Sequence, residues 1–220
     1  MEGLSDPSRK LNLPHLYAII DAGLLASRVP SEQLTAAICD YATELAAGGV
    51  TLIQYRAKSE GPSEILSHAR ELRRVLEPRV TLFMNDCADL CLAAGFDGIH
   101  LGQDDLSPEG ARLVVGNARW IGVSTHRPEQ VKVAEKAPVD YIAVGPVFPT
   151  GTKQNPDPVI GLAGVRAARA LTRKPLVAIG GITRSNAREV LSSGADAVAV
   201  IGDLLQNPRR SAEEFLSILV

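Results

Sequence analysis

Eight short apolar runs, each followed by a polar or glycine-containing turn and then by a stretch of helical periodicity, punctuate the 220-residue chain and leave few folds open to it. They are Leu16 to Ile20, Val50 to Tyr55, Val80 to Met84, Gly98 to Leu101, Trp120 to Val123, Tyr141 to Val147, Leu176 to Ile179 and Ala197 to Ile201. A run such as Val177-Ala178-Ile179 does not alternate polar with apolar residues, as expected of a parallel strand covered on both faces. Between the runs, Leu34, Ile38, Tyr41 and Leu45 form a helical stripe behind Ser31 as N-cap and ahead of Gly48 and Gly49 as a stop. Ile65, Ala69, Leu72 and Leu76 form a second stripe behind Pro62, which fits the first turn. Shorter helices are expected over 88–94, 129–136, 164–171 and 185–193.

Eight β-then-α units in a chain near the ~200–250 residues of a minimal barrel predict an α/β protein with a single (β/α)8 TIM barrel over residues 14–220. An open doubly wound sheet needs fewer strands and puts a glycine-rich phosphate loop after the first one. Here that turn begins Asp21-Ala22-Gly23 and carries no such pattern. Residues 1–13 hold little apolar content and are expected to form a loose N-terminal arm, with no second domain.

Charge narrows the function. The 23 basic side chains are balanced by 25 acidic ones, for a net charge of -2, which removes the electrostatic argument for a general nucleic-acid or membrane-surface binder. Aromatic content of 4% also argues against a base-stacking surface. No run of about 18 apolar residues occurs, and MEGLSDPSRK lacks the order of a signal peptide, so a cytoplasmic protein acting on small molecules is expected. The three cysteines form no metal or disulfide pattern; Cys87 and Cys91 are expected to pack as thiols. Both a monomer and a homo-oligomer remain open.

In a barrel, catalytic groups sit where strands end. Those positions read Gln54-Tyr55-Arg56-Ala57-Lys58 after run 2, Asn85-Asp86 after run 3, Gly102-Gln103-Asp104-Asp105 after run 4 and Ser124-Thr125-His126 after run 5. Run 6 leads into Phe148-Pro149-Thr150-Gly151-Thr152-Lys153, run 7 into Gly180-Gly181 and run 8 into Gly202-Asp203. Arg56, Lys58 and Lys153 at one rim make a cationic pocket suited to a diphosphate. Asp86 and Asp105 would repel each other unless a cation lay between them, and two carboxylates without His or Cys suit magnesium better than zinc. The glycines after runs 7 and 8 suggest a second, phosphate-sized site built from backbone N–H groups, or simply tight turns. The loop from Gly151 to Ile160 is long for its kind and is the expected lid.

The strings VTLIQYRAK, MNDCADLCLAAGFDGIHLGQDD, IGVSTH, DYIAVGPVFPTGTK and VAIGGIT together resemble the thiamine-phosphate synthase family of barrel enzymes, from the first run to the last. The resemblance implies a magnesium-dependent transferase that condenses 4-amino-2-methyl-5-(diphosphooxymethyl)pyrimidine with a carboxylated or plain thiazole phosphate, releasing diphosphate. It implies that Gln54, Tyr55, Arg56, Ala57, Lys58, Asn85, Ser124 and Lys153 hold the pyrimidine diphosphate, with Arg56, Lys58, Ser124 and Lys153 as the catalytic set. Asp86 and Asp105 would carry the metal, and Thr150, Gly151, Thr152, Gly181, Ile201 and Gly202 the thiazole phosphate. Two positions depart from the family pattern: Gly202 stands where a Ser is usual, and Cys87 where an Arg is common. The competing expectations are a thiazole tautomerase using His126, a Schiff-base aldolase barrel, and a phosphate-binding barrel without catalysis. His100 and His126 are expected to be packed or rim residues.

Overall fold

Eight parallel strands close on themselves in sequence order, β1 (Leu16–Asp21), β2 (Leu52–Arg56), β3 (Thr81–Asn85), β4 (Gly98–Leu101), β5 (Trp120–Thr125), β6 (Tyr141–Val144), β7 (Leu176–Ile179) and β8 (Ala197–Val200). Pairing of Leu16 with Val198 and of Ala18 with Val200 seals the cylinder. The single (β/α)8 barrel expected from the eight runs is the fold of the chain, seen in a computed structural model that describes residues 11, 13–76, 78, 80–151 and 157–220. Around it lie α1 (Ala22–Ala26), α2 (Leu34–Ala47), α3 (Pro62–Val75), α4 (Ala88–Ala93), α5 (Pro108–Val115), α6 (Pro128–Lys136), α7 (Gly161–Arg169), α8 (Ala187–Ser192) and α9 (Pro208–Ile218). None of the helices is long and apolar enough to cross a membrane, among the described residues.

Several strand bounds shift by one to three residues from the apolar runs, and one cap differs. The second strand starts at Leu52 rather than Val50, and the sixth stops at Val144, where Pro146 has no N–H to continue a ladder. Ser31 does not cap α2: it opens a 3-10 turn over Ser31–Gln33, its hydroxyl donates to Glu32, and Gln33 precedes the helix without a side-chain bond. The helix α5 instead shows the expected chemistry, with Ser107 Oγ accepting from Gly110 N at 3.1 Å and Pro108 in the first turn.

The interior divides into two apolar layers. The larger lies between sheet and helices and includes Ile38, Leu45, Leu72, Ile99, Val165 and Phe215, all buried. The smaller fills the barrel itself with Tyr17, Leu52, Phe83, Tyr141, Val177 and Ala197. Leu11 is buried in this inner layer and Leu13 packs on it, so the described part of the expected arm closes the barrel's lower end; residues 1–10 and 12 lie outside the described residues. The aromatic rings fit because Gly122 has no side chain: a Cβ there would lie 1.9 Å from the Tyr141 ring.

The same clamp recurs three times at the end of the barrel where strands begin. An Asp just before β4, β6 and β8 (Asp97, Asp140, Asp196) accepts from an Arg on α3, α5 and α7 (Arg73, Arg112, Arg169) at 3.1, 2.8 and 2.8 Å. Each carboxylate also accepts from a backbone N–H of the preceding strand, Leu82, Ile121 and Leu176, at 2.8, 2.7 and 2.7 Å. Each clamp ties two strands and a helix into one unit.

Candidate active site

A cavity of about 570 Å³ opens at the end of the barrel where the strands finish. Strand alternation decides which side chains enter it. Gln54 and Arg56 line it, while Tyr55 between them points to the helices and bonds His68 Nδ1 through its hydroxyl at 2.7 Å. Ala57 packs on the outer core. Tyr55 and Ala57, expected to touch the pyrimidine diphosphate, therefore do not line the cavity, because neighbouring residues of the motif face opposite sides of the sheet. Lys58, Asn85, Asp86, Asp105, Ser124, Thr150, Gly151, Gly181, Ile201 and Gly202 do line it. Thr152 and Lys153, with half of the expected lid, lie outside the described residues.

Charge at the mouth is paired. Arg56 forms an ion pair with Asp21, whose other oxygen accepts from Leu24 N at 3.1 Å and so caps α1. Lys58 pairs with Asp86. Burial pushes the Asp86 carboxyl up to about 6, helped by a hydrogen bond shared with Asp105 and opposed by Lys58. Burial acts the same way on Asp105, but the bond with Asp86 and the Gly102 N–H, at 2.7 Å, outweigh it and hold that carboxyl below the usual range. Below about pH 6 the pair therefore shares a proton, and above it both carboxylates are charged.

Asp86 is held there with φ at +63°, a left-handed conformation that costs a non-glycine residue ~1–2 kcal/mol and is kept where a side chain must be aimed. A divalent cation fits this donor set: Asp86 and Asp105 would hold it, and its charge would relieve the repulsion between them. Among the described residues no group of three or more His, Cys, Asp or Glu converges, so a cation held here would rest on Asp86 and Asp105 and on oxygens from outside the protein. Beside it, Asn85 Nδ2 is buried without a partner among the described residues, a donor held ready for a ligand.

Beneath the mouth, Tyr17 and Tyr141, which the sequence does not single out, join Gln54, His100 and Ser124. Gln54 Nε2 donates to Tyr17 OH at 2.9 Å, which meets Tyr141 OH at 3.1 Å. Tyr141 OH lies 2.7 Å from His100 Nδ1, and His100 Nε2 lies 2.8 Å from Ser124 Oγ. Burial pushes the His100 imidazole down to about 4, so it is neutral at pH 7. His100 is packed as expected but also faces the cavity, and inward alternation of Tyr17, Gln54, His100 and Ser124 is the signal that would have grouped them. His126 also lines the cavity, with Nδ1 donating to Gly145 O at 2.6 Å and Nε2 3.3 Å from Asp157.

The opposite wall is backbone. Gly180 and Gly181 have φ of +101° and +65°, and a Cβ on either would lie 2.5 Å from Pro146 or from Pro149 O. Both turn geometry and close approach therefore require glycine. Among the described residues, the N–H groups of Gly181 and Gly202 meet no protein acceptor. Ile19, Ala143, Val177, Ile179 and Ala199 supply apolar surface between this wall and the charged rim.

Cys87 precedes α4 without capping it through its side chain, and burial with the nearby Asp86, Asp89 and Asp105 pushes its thiol up. Such a thiol is a poor nucleophile, so Cys87→Ser is expected to leave turnover within about threefold; a near-complete loss in steady-state assays would assign it a role this geometry does not show.

Known proteins match this chain over most of its length. A 61%-identical relative, the thiamine-phosphate synthase of Koribacter versatilis, aligns over 95% of this chain and 97% of its own. The thiamine-phosphate synthase of Methanospirillum hungatei is 39% identical over 86% of this chain and 92% of its own. Among solved structures, thiamine phosphate pyrophosphorylase from Pyrococcus furiosus superposes with a TM-score of 0.79 at 33% identity, covering 93% of this chain and 94% of that one. With residues 16–204 matching the family model described as thiamine monophosphate synthase, the chain belongs to that family.

Proposed function

We propose that the protein joins 4-amino-2-methyl-5-(diphosphooxymethyl)pyrimidine to a thiazole phosphate, carboxylated or plain, to give thiamine phosphate and diphosphate in the cytoplasm, with the carboxyl group of a carboxylated thiazole leaving as carbon dioxide. One observation carries this reading beyond family membership: Arg56, Lys58, Asp86 and Asp105, from the ends of β2, β3 and β4, share a cavity with the unpartnered N–H groups of Gly181 and Gly202. Two anion sites face each other across an apolar floor, as two phosphorylated ring substrates require.

In this reaction the thiazole nitrogen attacks the pyrimidine methylene. Its lone pair forms the C–N bond while the C–O pair leaves on the diphosphate, so no side-chain nucleophile is needed. Arg56, Lys58 and Lys153 meet the negative charge growing on the leaving oxygens, where one preorganised donor is worth ~2.7–4 kcal/mol. Magnesium on Asp86 and Asp105, when bound, supplies further charge to those oxygens. Gln54, Asn85 and Ser124 orient the pyrimidine diphosphate. Thr150, Gly151, Thr152, Gly181, Ile201 and Gly202 hold the thiazole phosphate. An isomerase of a single phosphate centred on His126 would leave the four charged groups of the rim without a ligand.

Release of diphosphate from the purified protein, supplied with both substrates with and without EDTA, tests the reading. Loss of product with EDTA and its return with magnesium is expected; no diphosphate in any condition would refute the synthase assignment, and EDTA-insensitive turnover would remove the metal. A Cβ at Gly202 meets no heavy atom within 4 Å. Gly202→Ser is therefore expected to fit and to add a hydroxyl beside the thiazole phosphate, lowering its KM about tenfold, the lower end of the scale for one hydrogen bond to a charged group. An unchanged KM would place that phosphate elsewhere.

A further inference from the structure

The side chains of Gln54, Tyr17, Tyr141, His100 and Ser124 form one continuous hydrogen-bonded chain across the barrel, with four links of 2.9, 3.1, 2.7 and 2.8 Å. Gln54 and Ser124 both line the cavity; Tyr141, wholly buried, does not. Each tyrosine has one proton to give, and a neutral imidazole has one N–H. Such a chain can be filled in two ways that use every proton within it. In the first, Gln54 Nε2 donates to Tyr17, Tyr17 to Tyr141, Tyr141 to His100 Nδ1, and His100 Nε2 to Ser124. Gln54 Oε1, which has no partner among the described residues, is then an acceptor for the cavity, and the Ser124 O–H is free to donate. In the second, every link is reversed and the Gln54 amide is turned over. The amide then offers the cavity an N–H, while Ser124 offers only lone pairs. A mixture leaves two donors or two acceptors facing each other in a buried place.

We propose that this chain makes recognition of a ring amino group at Gln54 and hydrogen-bond donation by Ser124 a single event, with Tyr141 and His100 as positioning residues that carry the polarity between them. An aminopyrimidine donates to Gln54 Oε1 and selects the first filling, which turns the Ser124 proton toward the diphosphate. A 4-oxo ring in the same place asks Gln54 for an N–H, reverses the chain, and sets Ser124 lone pairs against the anion. The oxo compound is thus penalised at both ends of the chain. This rests on the proposed reaction for the place of the diphosphate, while the link between Gln54 and Ser124 is independent of it.

Tyr141→Phe keeps the ring over Gly122 and removes the hydroxyl that joins the two halves. Calorimetric binding of the aminopyrimidine diphosphate and its 4-oxo counterpart to the magnesium-supplied protein, without the thiazole, reads the discrimination; diphosphate release with both substrates reads turnover. The wild-type protein is expected to prefer the amino compound by about a hundredfold or more. Tyr141→Phe should cut that preference about tenfold and lower kcat about tenfold with the KM for the amino substrate nearly unchanged. In a Ser124→Ala background the same substitution should cost kcat nothing further, because the far end of the chain is already gone.

An intact preference in folded Tyr141→Phe, strictly multiplicative losses of kcat, or no amino preference in the wild type would each overturn the proposal. If Tyr141→Phe does not fold, Tyr17→Phe cuts the chain on the Gln54 side and is judged by the same readouts. Absence of diphosphate release by the wild-type protein would count against the synthase reading alone, since the binding preference and its loss in the variant still decide the role of the chain.

Discussion

Asp86→Asn combined with Asp105→Asn is expected to lower turnover by about a thousandfold or more and to abolish any response to magnesium, since the pair is the anionic element of the rim and a cation there supplies several kcal/mol to a departing diphosphate. Steady-state assays over a magnesium titration check this; retained activity with retained metal response would dissociate these residues from the metal. The single change Asp86→Asn separates function from folding. The folded carboxyl titrates near 6, above its ordinary value of about 3.9, so the folded state binds that proton more tightly than the unfolded state. The wild-type protein therefore loses stability as pH rises from about 4 through 6. The amide variant escapes that loss and should be about 1–2 kcal/mol more stable than the wild type at pH 7.5 in EDTA, after allowance for solvent at the mouth, with no gain at pH 4. Urea denaturation at the two pH values reads the difference, and equal stabilities at pH 7.5 would mean that the carboxylates do not strain each other.

Arg56→Ala is expected to lower turnover about a hundredfold, the scale for removing one charged stabiliser of a leaving group, and to destabilise the fold as well. Its partner Asp21 is buried, and stripping a buried carboxylate of its cation costs about 3 kcal/mol. The two effects part in the double variant Arg56→Ala with Asp21→Asn. The amide can still cap α1 through Leu24 N and carries no charge to strand, so stability should largely return while turnover stays low. Recovery of turnover along with stability would reduce Arg56 to a structural ion pair.

The barrel was legible because its strands are covered on both faces, which makes apolar runs such as Leu176–Ile179 stand out whatever surrounds them. Strand ends were legible for the same reason: Arg56, Lys58, Asp86 and Asp105 follow such runs, and the structure brings them to one cavity. Tyr55 went astray because strand 2 continues through the polar motif, so its alternation still governs which residues turn inward. Tyr17, His100 and Tyr141 were hidden by the opposite effect. They lie within strands, look like core aromatics one at a time, and acquire their polar meaning only when β1, β4 and β6 are brought together across the barrel. The short α1 and the helices α5 and α9 were passed over as elements, although Ser107-Pro108 before α5 and Pro208 at the start of α9 are start signals of the ordinary kind.

The three Arg–Asp clamps stand at the pole remote from the chemistry, and that separation sets what can vary. Loops at the reactive pole are free to drift in substrate preference while the bolts below keep the cylinder shut. Arg112 shows how concentrated the fastening is: one guanidinium reaches Asp140 and the carbonyls of Gly116, Arg119 and Pro138. Damage at that one residue would shorten the lifetime of the folded enzyme yet leave every surviving molecule as competent as before.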